Sequence, residues 1–160
     1  MVFRGKYYFL SNMYPCPVTV DICGKAYVFT CSEAAFQAMK SPQDAVSFTG
    51  IDGYAAKRMG RRVKMDKGMA KRWNAARDSI MESIVRAKFM QNMELMEKLL
   101  TVDGEICEEN TWNDRYWGVI RHDGRLYGEN RLGKILMRLR DEERERRGDI
   151  AWIHYGKQDR

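Results

Sequence analysis

The sequence predicts a helix-rich α+β fold, in a single domain with one small antiparallel β-hairpin. β-branched and aromatic residues form only two short strand-like segments, Val18–Ile22 and 26–30, which are joined by Gly24-Lys25. From Cys31 onward, apolar residues recur mainly at helical spacing. Because the strands come first and the helices follow, alternating βαβ units are not expected. The 160 residues suffice for one domain that buries a core without metal or disulfide bonds.

Helical elements follow the hairpin. Residues 33–40 are predicted to form a short helix that stops at Ser41-Pro42. A second helix is predicted to open at Asp52 or Gly53 and to end near Gly60. Three further helices are predicted over 73–89, 94–100 and 130–147.

The helix predicted over 73–89 carries two cations within its apolar face. That face is formed by Trp73, Ala76, Ile80, Met81, Ile84 and Val85. On a helical wheel, Arg77 and Lys88 lie near the middle of this stripe. Either their long stems cover the core while their charges reach water, or they bind a carboxylate or phosphate at the edge of the core.

Composition and charge exclude several classes of protein. Apolar residues make up 44% and charged residues 31%, which excludes a disordered chain, and the apolar runs are too short to span a bilayer. The N-terminus lacks the pattern of a signal peptide, so we expect a cytoplasmic protein with no membrane partner. The net charge of +6 is concentrated in 57–72, which indicates either a phosphate-binding region or a solvated helical surface.

The four cysteines are spaced too widely to act as paired zinc ligands. They are Cys16, Cys23, Cys31 and Cys107. In a reducing compartment such residues behave as small hydrophobes, so we expect buried free thiols and no metal site. An organic cofactor is not expected either.

The first predicted helix carries a carboxylate, an amide and an amine on one face. Glu33, Gln37 and Lys40 follow i, i+4, i+7 spacing, and the alanines between them keep the rest of the helix slim. This strip is a candidate site. The alternative is structural, because Thr30-Cys-Ser-Glu33 also fits a capping box and Lys40 suits a helix C-terminus.

A second candidate site is the segment 109–133, which mixes carboxylates, indoles, amides and glycines without apolar periodicity. Between Trp112 and Trp117, Asp114 must be either ionised and hydrogen-bonded, or protonated with a raised pKa as a general acid requires. The alternatives are two core indoles, and Asn130 as the N-cap of the last helix. Such costly groups need partners, so the segment is predicted to bind a ligand.

Several motifs occur together in a fixed order along the chain. They are Phe9-Leu-Ser-Asn12-Met-Tyr-Pro15, Glu33-x-x-Phe36-Gln37-x-x-Lys40, Ala56-Lys57-x-x-Gly60-Arg61, Trp73-x3-Arg77-x3-Met81, Lys88-Phe89-x-Gln91-Asn92, Leu99-Leu100, Glu109-x4-Asp114-x2-Trp117-Gly118, and Gly128-x-Asn130-x-Leu132-Gly133-x2-Leu136-Met137-x-x-Arg140. This series resembles the NADAR, or YbiA-like, family of N-glycosidases. The resemblance implies a family domain over 1–147 and a C-terminal tail over 148–160.

The resemblance also implies the reaction. Members hydrolyse the bond between ribose C1 and an exocyclic amine, either in ribosylaminopyrimidine phosphates of the riboflavin pathway or in ADP-ribosylated guanine. The expected partner is therefore a phosphate-bearing N-riboside, and for the guanine reaction an ADP-ribosylated nucleic acid. This activity would reverse ADP-ribosylation of guanine.

The implied chemistry assigns roles to the candidate residues. Glu33 and Asp114 would supply an anion near the sugar and a proton for the departing amine, and Lys40 could capture C1 as an imine. The expected substrate-binding residues are Asn12, Gln37, Arg61, Arg77, Lys88, Glu109, Trp117 and Asn130. Arg61, Arg77 and Lys88 would bind phosphate, and Trp117 would stack on the base.

Two hypotheses from other classes of protein are alternatives to the enzyme. A non-catalytic module could bind ADP-ribose or nucleic acid through the basic segment 57–72 and aromatic stacking. A helical interaction scaffold would explain the mixed-charge C-terminal helix but not the cluster of tryptophan and aspartate. The presence of Glu33, Lys40 and Asp114 together favours the enzyme, because a phosphate binder has less need of carboxylates.

Overall fold

The computed structural model describes residues 2–155, apart from the side chains of Asp149 and 151–155. The chain divides into two compact units, Val2–Leu95 and a second that begins at Met96. Helices predominate, and the described residues also form two antiparallel sheets of two strands each. The predicted helix-rich α+β class is confirmed.

The first unit opens with a 3-10 segment, Gly5–Leu10, and the predicted hairpin. Strand β1 (Val18–Ile22) pairs in antiparallel register with β2 (Lys25–Phe29). The turn is Cys23–Gly24, one residue earlier than predicted, and both residues have positive φ, as a type I′ turn requires. Because Cys23 occupies this turn, it is exposed, and the prediction that it is buried is wrong; the other three cysteines are buried.

Two short helices follow the hairpin. Helix α1 (Ser32–Ala38) ends two residues earlier than predicted, and a 3-10 segment, Pro42–Phe48, comes after it. Helix α2 (Gly53–Arg62) begins where its cap predicts, because the Asp52 carboxylate accepts the Ala55 N–H at 2.7 Å. Helix α1 packs against α2 and against the next helix.

Helix α3 (Lys67–Gln91) is the longest element of the first unit. It begins before the predicted start, because Asp66 caps it by accepting the Met69 N–H at 2.8 Å. Its buried residues are Met81, Ile84, Val85, Lys88 and Phe89. Ala76 was expected on this face but is exposed, because at 100° per residue it lies on the opposite side from Met81 and Lys88.

The C-terminal part of the chain contains α4 (Met93–Leu100), β3 (Ile120–His122), β4 (Arg125–Tyr127) and α5 (Arg131–Tyr155). The β3–β4 hairpin was not predicted. Helix α5 continues into the segment expected to be a tail, and 156–160 lie outside the described residues. Buried Arg140 of α5 donates to the carbonyl oxygens of Val102 and Gly104, each at 2.8 Å, and so secures the chain after α4.

None of the described helices combines the length and the apolar character needed to cross a membrane.

Candidate active site

Helix α1 places two polar side chains in the interior of the first unit. Glu33 is 8% exposed and Gln37 is 5% exposed. Their i, i+4 spacing brings them together, and Gln37 Nε2 donates to Glu33 Oε1 at 2.7 Å. The predicted grouping of this carboxylate and this amide is therefore present in the structure.

The capping-box alternative for Glu33 is not formed. The N-cap of α1 is Cys31, which makes no side-chain capping bond, whereas the capping box requires Thr30 at that position. The Thr30 hydroxyl instead donates to the Ile51 carbonyl oxygen. Thr30 and Glu33 therefore do not form the reciprocal capping box.

Lys40 lies just beyond α1, in a tight turn in which its N–H donates to the Gln37 carbonyl oxygen at 3.1 Å. Burial lowers the pKa of its amine below 10.5, the neighbouring Glu33 carboxylate raises it, and the positive charges of Lys57 and Arg61 lower it further. The net direction is down. A lysine with a lowered pKa is more often neutral, and only the neutral amine is a nucleophile.

Two aromatic side chains, Trp73 and Phe36, lie on one side of Lys40. The Lys40 Nζ atom lies 5.7 Å from the centroid of the Trp73 ring, and Phe36 packs against the same indole with centroids 5.1 Å apart. Trp73 was expected only as a core residue of α3, yet it is half-buried beside the amine. Its i, i+4 spacing with Arg77, an expected phosphate-binding residue, places both side chains on one face of α3.

Asn12 is joined to the start of α1. Its carbonyl oxygen accepts the Glu33 N–H at 2.9 Å, and its side chain is buried, with Nδ2 directed at Met81 Sδ 3.2 Å away. Within residues 2–155, Asn12 Oδ1 has no hydrogen-bond partner. The loop that carries Asn12 therefore belongs to the same neighbourhood as the Glu33–Gln37 pair.

The two arginines predicted to bind phosphate lie on different helices. Arg61 is exposed near the end of α2, and its charge acts on Lys40. Arg77 is half-buried on α3, one turn after Trp73. Their binding of phosphate stays a prediction.

Lys88 is a correction to the predicted substrate-binding set. It is 1% exposed, and its Nζ atom donates to the carbonyl oxygens of Phe9 at 2.6 Å and Ser11 at 2.9 Å. Burial lowers the pKa of this amine to about 8. Because the head group is enclosed by these backbone acceptors, Lys88 braces the loop before Asn12 and does not reach a substrate phosphate.

In the second unit, Asp114 is part of a tightly bonded loop. Its Oδ1 accepts the N–H groups of Tyr116 and Trp117, both at 2.9 Å. Asn110 closes the same loop: its Oδ1 accepts the Asp114 N–H, and its Nδ2 donates to the Asp114 carbonyl oxygen. Asp114 is thus hydrogen-bonded within its own loop. Its convergence with Glu33 and Lys40 stays a prediction.

Glu109 and Asn130 both have partners within the second unit. Glu109 makes a two-point ion pair with Arg121, at 2.8 and 3.0 Å, which lowers the pKa of the Glu109 carboxyl. Asn130 Nδ2 donates to the Ile106 carbonyl oxygen at 2.8 Å, and its Oδ1 accepts the Glu108 N–H at 3.1 Å. The Asn130 amide therefore braces the preceding loop, and its expected contact with ribose is still a prediction.

The two indoles of this segment differ. Trp117 is half-buried, and its ring meets that of Tyr116 edge-on with centroids 4.9 Å apart. Trp112 is 57% exposed, so the alternative that both indoles are core residues is wrong for Trp112. Base stacking by Trp117 stays a prediction.

Comparisons with known proteins agree with this picture. The NADAR domain family matches residues 2–144. N-glycosidase YbiA of Escherichia coli is 36% identical over 136 residues, which are 82% of this chain and 79% of that protein. A riboflavin biosynthesis protein of Vibrio vulnificus is 33% identical over 141 residues, 86% of this chain but only 36% of that protein.

The fold has a solved counterpart. The NMR structure of the Escherichia coli protein YbiA superposes with a TM-score of 0.70 at 34% sequence identity, and the match covers 92% of this chain and 86% of that chain. The chain belongs to the NADAR family. It is an N-glycosyl hydrolase, as the curated relatives are.

Proposed function

We propose that this N-glycosidase hydrolyses the bond between ribose C1 and an exocyclic amine in a phosphate-bearing riboside. The observation that carries the proposal is the Lys40 amine, which has a lowered pKa and lies close to the buried Glu33–Gln37 pair. A glycosylamine opens to an imine, and a neutral lysine is the group that exchanges with an imine. The positive charges of Lys57 and Arg61 beside the amine suit an anionic substrate.

The proposed reaction begins with ring opening: the C1–O4 bond of the ribosylamine breaks, O4 accepts a proton, and C1 becomes an imine of the exocyclic nitrogen. The Lys40 nitrogen then adds to C1, the bond from C1 to the exocyclic nitrogen breaks, and that nitrogen leaves as the free amine after accepting a proton. Water adds to the resulting lysine imine, the bond from C1 to Lys40 breaks, and the released aldehyde closes through O4 to a sugar with a hydroxyl group at C1. Glu33 and Asp114 supply the negative charge near C1 and the proton for the leaving amine.

Two substrate classes contain this bond. Ribosylaminopyrimidine phosphates of the riboflavin pathway carry it, and the relative from Vibrio vulnificus is a riboflavin biosynthesis protein. ADP-ribosylated guanine carries the same bond and a diphosphate, and the family resemblance supports it. Arg61 and Arg77 bind the phosphate in either case, because a guanidinium pairs with phosphate through two parallel hydrogen bonds.

Product identification tests the proposal. Purified protein is incubated with a ribosylaminopyrimidine phosphate and, separately, with an ADP-ribosylated guanine oligonucleotide. We expect one substrate to give the intact amine together with ribose 5-phosphate or ADP-ribose, and Glu33→Gln to form that product roughly a hundredfold more slowly. Binding of both compounds without cleavage of either would contradict the proposal and support the non-catalytic alternative.

A further inference from the structure

Gly60 of α2 lies so close to the Gln37 side chain of α1 that a larger residue fits only if the Gln37 amide moves. A Cβ atom added at Gly60 would overlap Gln37 Oε1 and would lie 2.7 Å from Gln37 Cδ. Within a helix, alanine is otherwise more favourable than glycine. The glycine at this position therefore serves the packing of Gln37 and not the stability of α2.

The amide that Gly60 accommodates is the one that binds the Glu33 carboxylate. Gln37 Nε2 donates to Glu33 Oε1 at 2.7 Å, while the other end of the amide, Oε1, faces Gly60. In the part of the chain that the structure describes, this buried Oε1 has no hydrogen-bond partner. A buried acceptor without a hydrogen bond destabilises the folded protein, so the amide orientation that binds the Glu33 carboxylate is kept at the expense of stability.

A second glycine on this face of α2, Gly53, also lies close to α1. Gly53, Ala56 and Gly60 follow one another at helical spacing and are all buried. A Cβ atom at Gly53 would lie 3.2 Å from Glu33 Cβ and 3.1 Å from Cys31 Sγ. Helix α2 thus touches both partners of the Glu33–Gln37 hydrogen bond.

We propose that Gly60 is a positioning residue for the N-glycosidase reaction. By leaving room for the Gln37 amide, it fixes the direction in which Gln37 Nε2 holds the Glu33 carboxylate. The inference rests on the proposed role of Glu33. It adds that residue 60 of α2 must be small, and that this residue acts on Glu33 only through Gln37.

The experiment compares Gly60→Ala, Gln37→Ala, the double variant and Glu33→Gln. Gly68→Ala is the matched control, because Gly68 is also a helical glycine, and its added Cβ would come no closer than 3.3 Å to the Asp66 carboxylate. Steady-state kinetics across pH and thermal unfolding are measured for each protein. Gly60→Ala is expected to lower kcat by about tenfold to a hundredfold with a smaller change in KM, since small displacements of catalytic groups have effects of this size.

The pH profile separates positioning from loss of stability. Without the Gln37 N–H donor the ionised Glu33 carboxylate loses a hydrogen bond, so the limb of the profile that reports Glu33 moves to higher pH. We expect this movement in Gln37→Ala and Gly60→Ala and not in Gly68→Ala. In the Gln37→Ala background, Gly60→Ala has space for its methyl group, so it is expected to leave kcat unchanged and not to lower the melting temperature.

Three results would overturn the inference. One is a folded Gly60→Ala with wild-type kcat and pH profile, and another is a double variant whose loss is the sum of the two single losses. The third applies if Gly60→Ala does not fold. In that case the double variant is compared with Gln37→Ala, and a lower kcat in the double variant would overturn the inference. If Glu33→Gln itself retains wild-type turnover, the proposed function of this site fails, which is a different result from failure at Gly60.

Discussion

Helix α1 and the segment 109–133 were both predicted to be sites, yet their polar side chains are used differently. In α1, Gln37 binds Glu33, and just beyond it burial and the charges of Lys57 and Arg61 lower the pKa of Lys40. In segment 109–133, most polar side chains bind the backbone of the same unit: Asp114 accepts two N–H groups, and Asn130 bonds to the loop 106–108.

The difference follows from what each backbone can offer. Within a helix the N–H and C=O groups bond to each other, so a buried polar side chain must find another side chain or a ligand. In an irregular loop many backbone groups lack such partners, and Asn and Asp side chains readily satisfy them. Polar residues on a buried helix face are therefore stronger evidence of a site than polar residues in a loop.

The largest effect is expected for Glu33→Gln. The amide keeps the size of the side chain but removes its charge, so turnover should fall by roughly a hundredfold or more while substrate binding is largely kept. Glu82→Gln is the matched control, because Glu82 is a helical glutamate that pairs with Arg86 on α3. Single-turnover rates and binding measured side by side check this; equal activity of the two variants would exclude Glu33 from catalysis.

Asp114→Asn tests whether the loop of segment 109–133 also takes part in the chemistry. Asparagine retains an oxygen that can accept the Tyr116 and Trp117 N–H groups, so the loop should stay folded. If the Asp114 charge acts on the substrate, kcat should still fall by roughly a hundredfold. Asp114→Ala, which removes the turn as well, is the comparison. Turnover that is normal in Asp114→Asn and lost only in Asp114→Ala would assign Asp114 to loop structure.

Much of the fold was predictable because its signals are local. The β1–β2 hairpin follows from alternating strand residues and a turn, and the start of α2 follows from Asp52 as a cap. The Glu33–Gln37 contact follows from i, i+4 spacing alone. Such features depend on a few neighbouring residues and not on tertiary packing.

The features that were not predicted have weak local signals or depend on contacts between residues far apart in the sequence. The β3–β4 hairpin carried a local signal, Asp123-Gly124 with positive φ at both residues, but it lies among arginines and polar residues that hide strand alternation. The enclosure of Lys88 by the Phe9 and Ser11 carbonyl oxygens joins residues far apart in the chain. Periodicity places Lys88 on the buried face, but it cannot name the partner.

A smaller effect is expected when Lys57 loses its charge. The positive charge of Lys57 lowers the pKa of Lys40, so Lys57→Met should raise that pKa and move the lysine limb of the pH–rate profile to higher pH. Lys71→Met, at an exposed lysine of α3, removes one charge elsewhere on the basic segment. A profile that moves equally in both variants would show a general charge effect and not a local action on Lys40.

The smallest effect concerns stability, at Lys88. Its pKa is about 8 in the folded protein against 10.5 as the ordinary value, so between these pH values the unfolded chain binds more protons. Stability contributed through Lys88 should therefore rise as pH increases across this range. Urea unfolding of wild type and Lys88→Met over the range checks this. The rise should be weaker in Lys88→Met, and an identical pH dependence would contradict the lowered pKa.

The most direct test of the account is chemical trapping of Lys40 during turnover. Borohydride added to the working enzyme reduces an imine between Lys40 and the sugar to a stable adduct, which mass spectrometry of peptides can locate. The account predicts one sugar adduct on Lys40 in the wild type, a reduced yield in Glu33→Gln, and none in Lys40→Ala, which should also lose turnover. Absence of an adduct in the wild type, together with normal turnover by Lys40→Ala, would contradict the lysine route and leave direct attack by water.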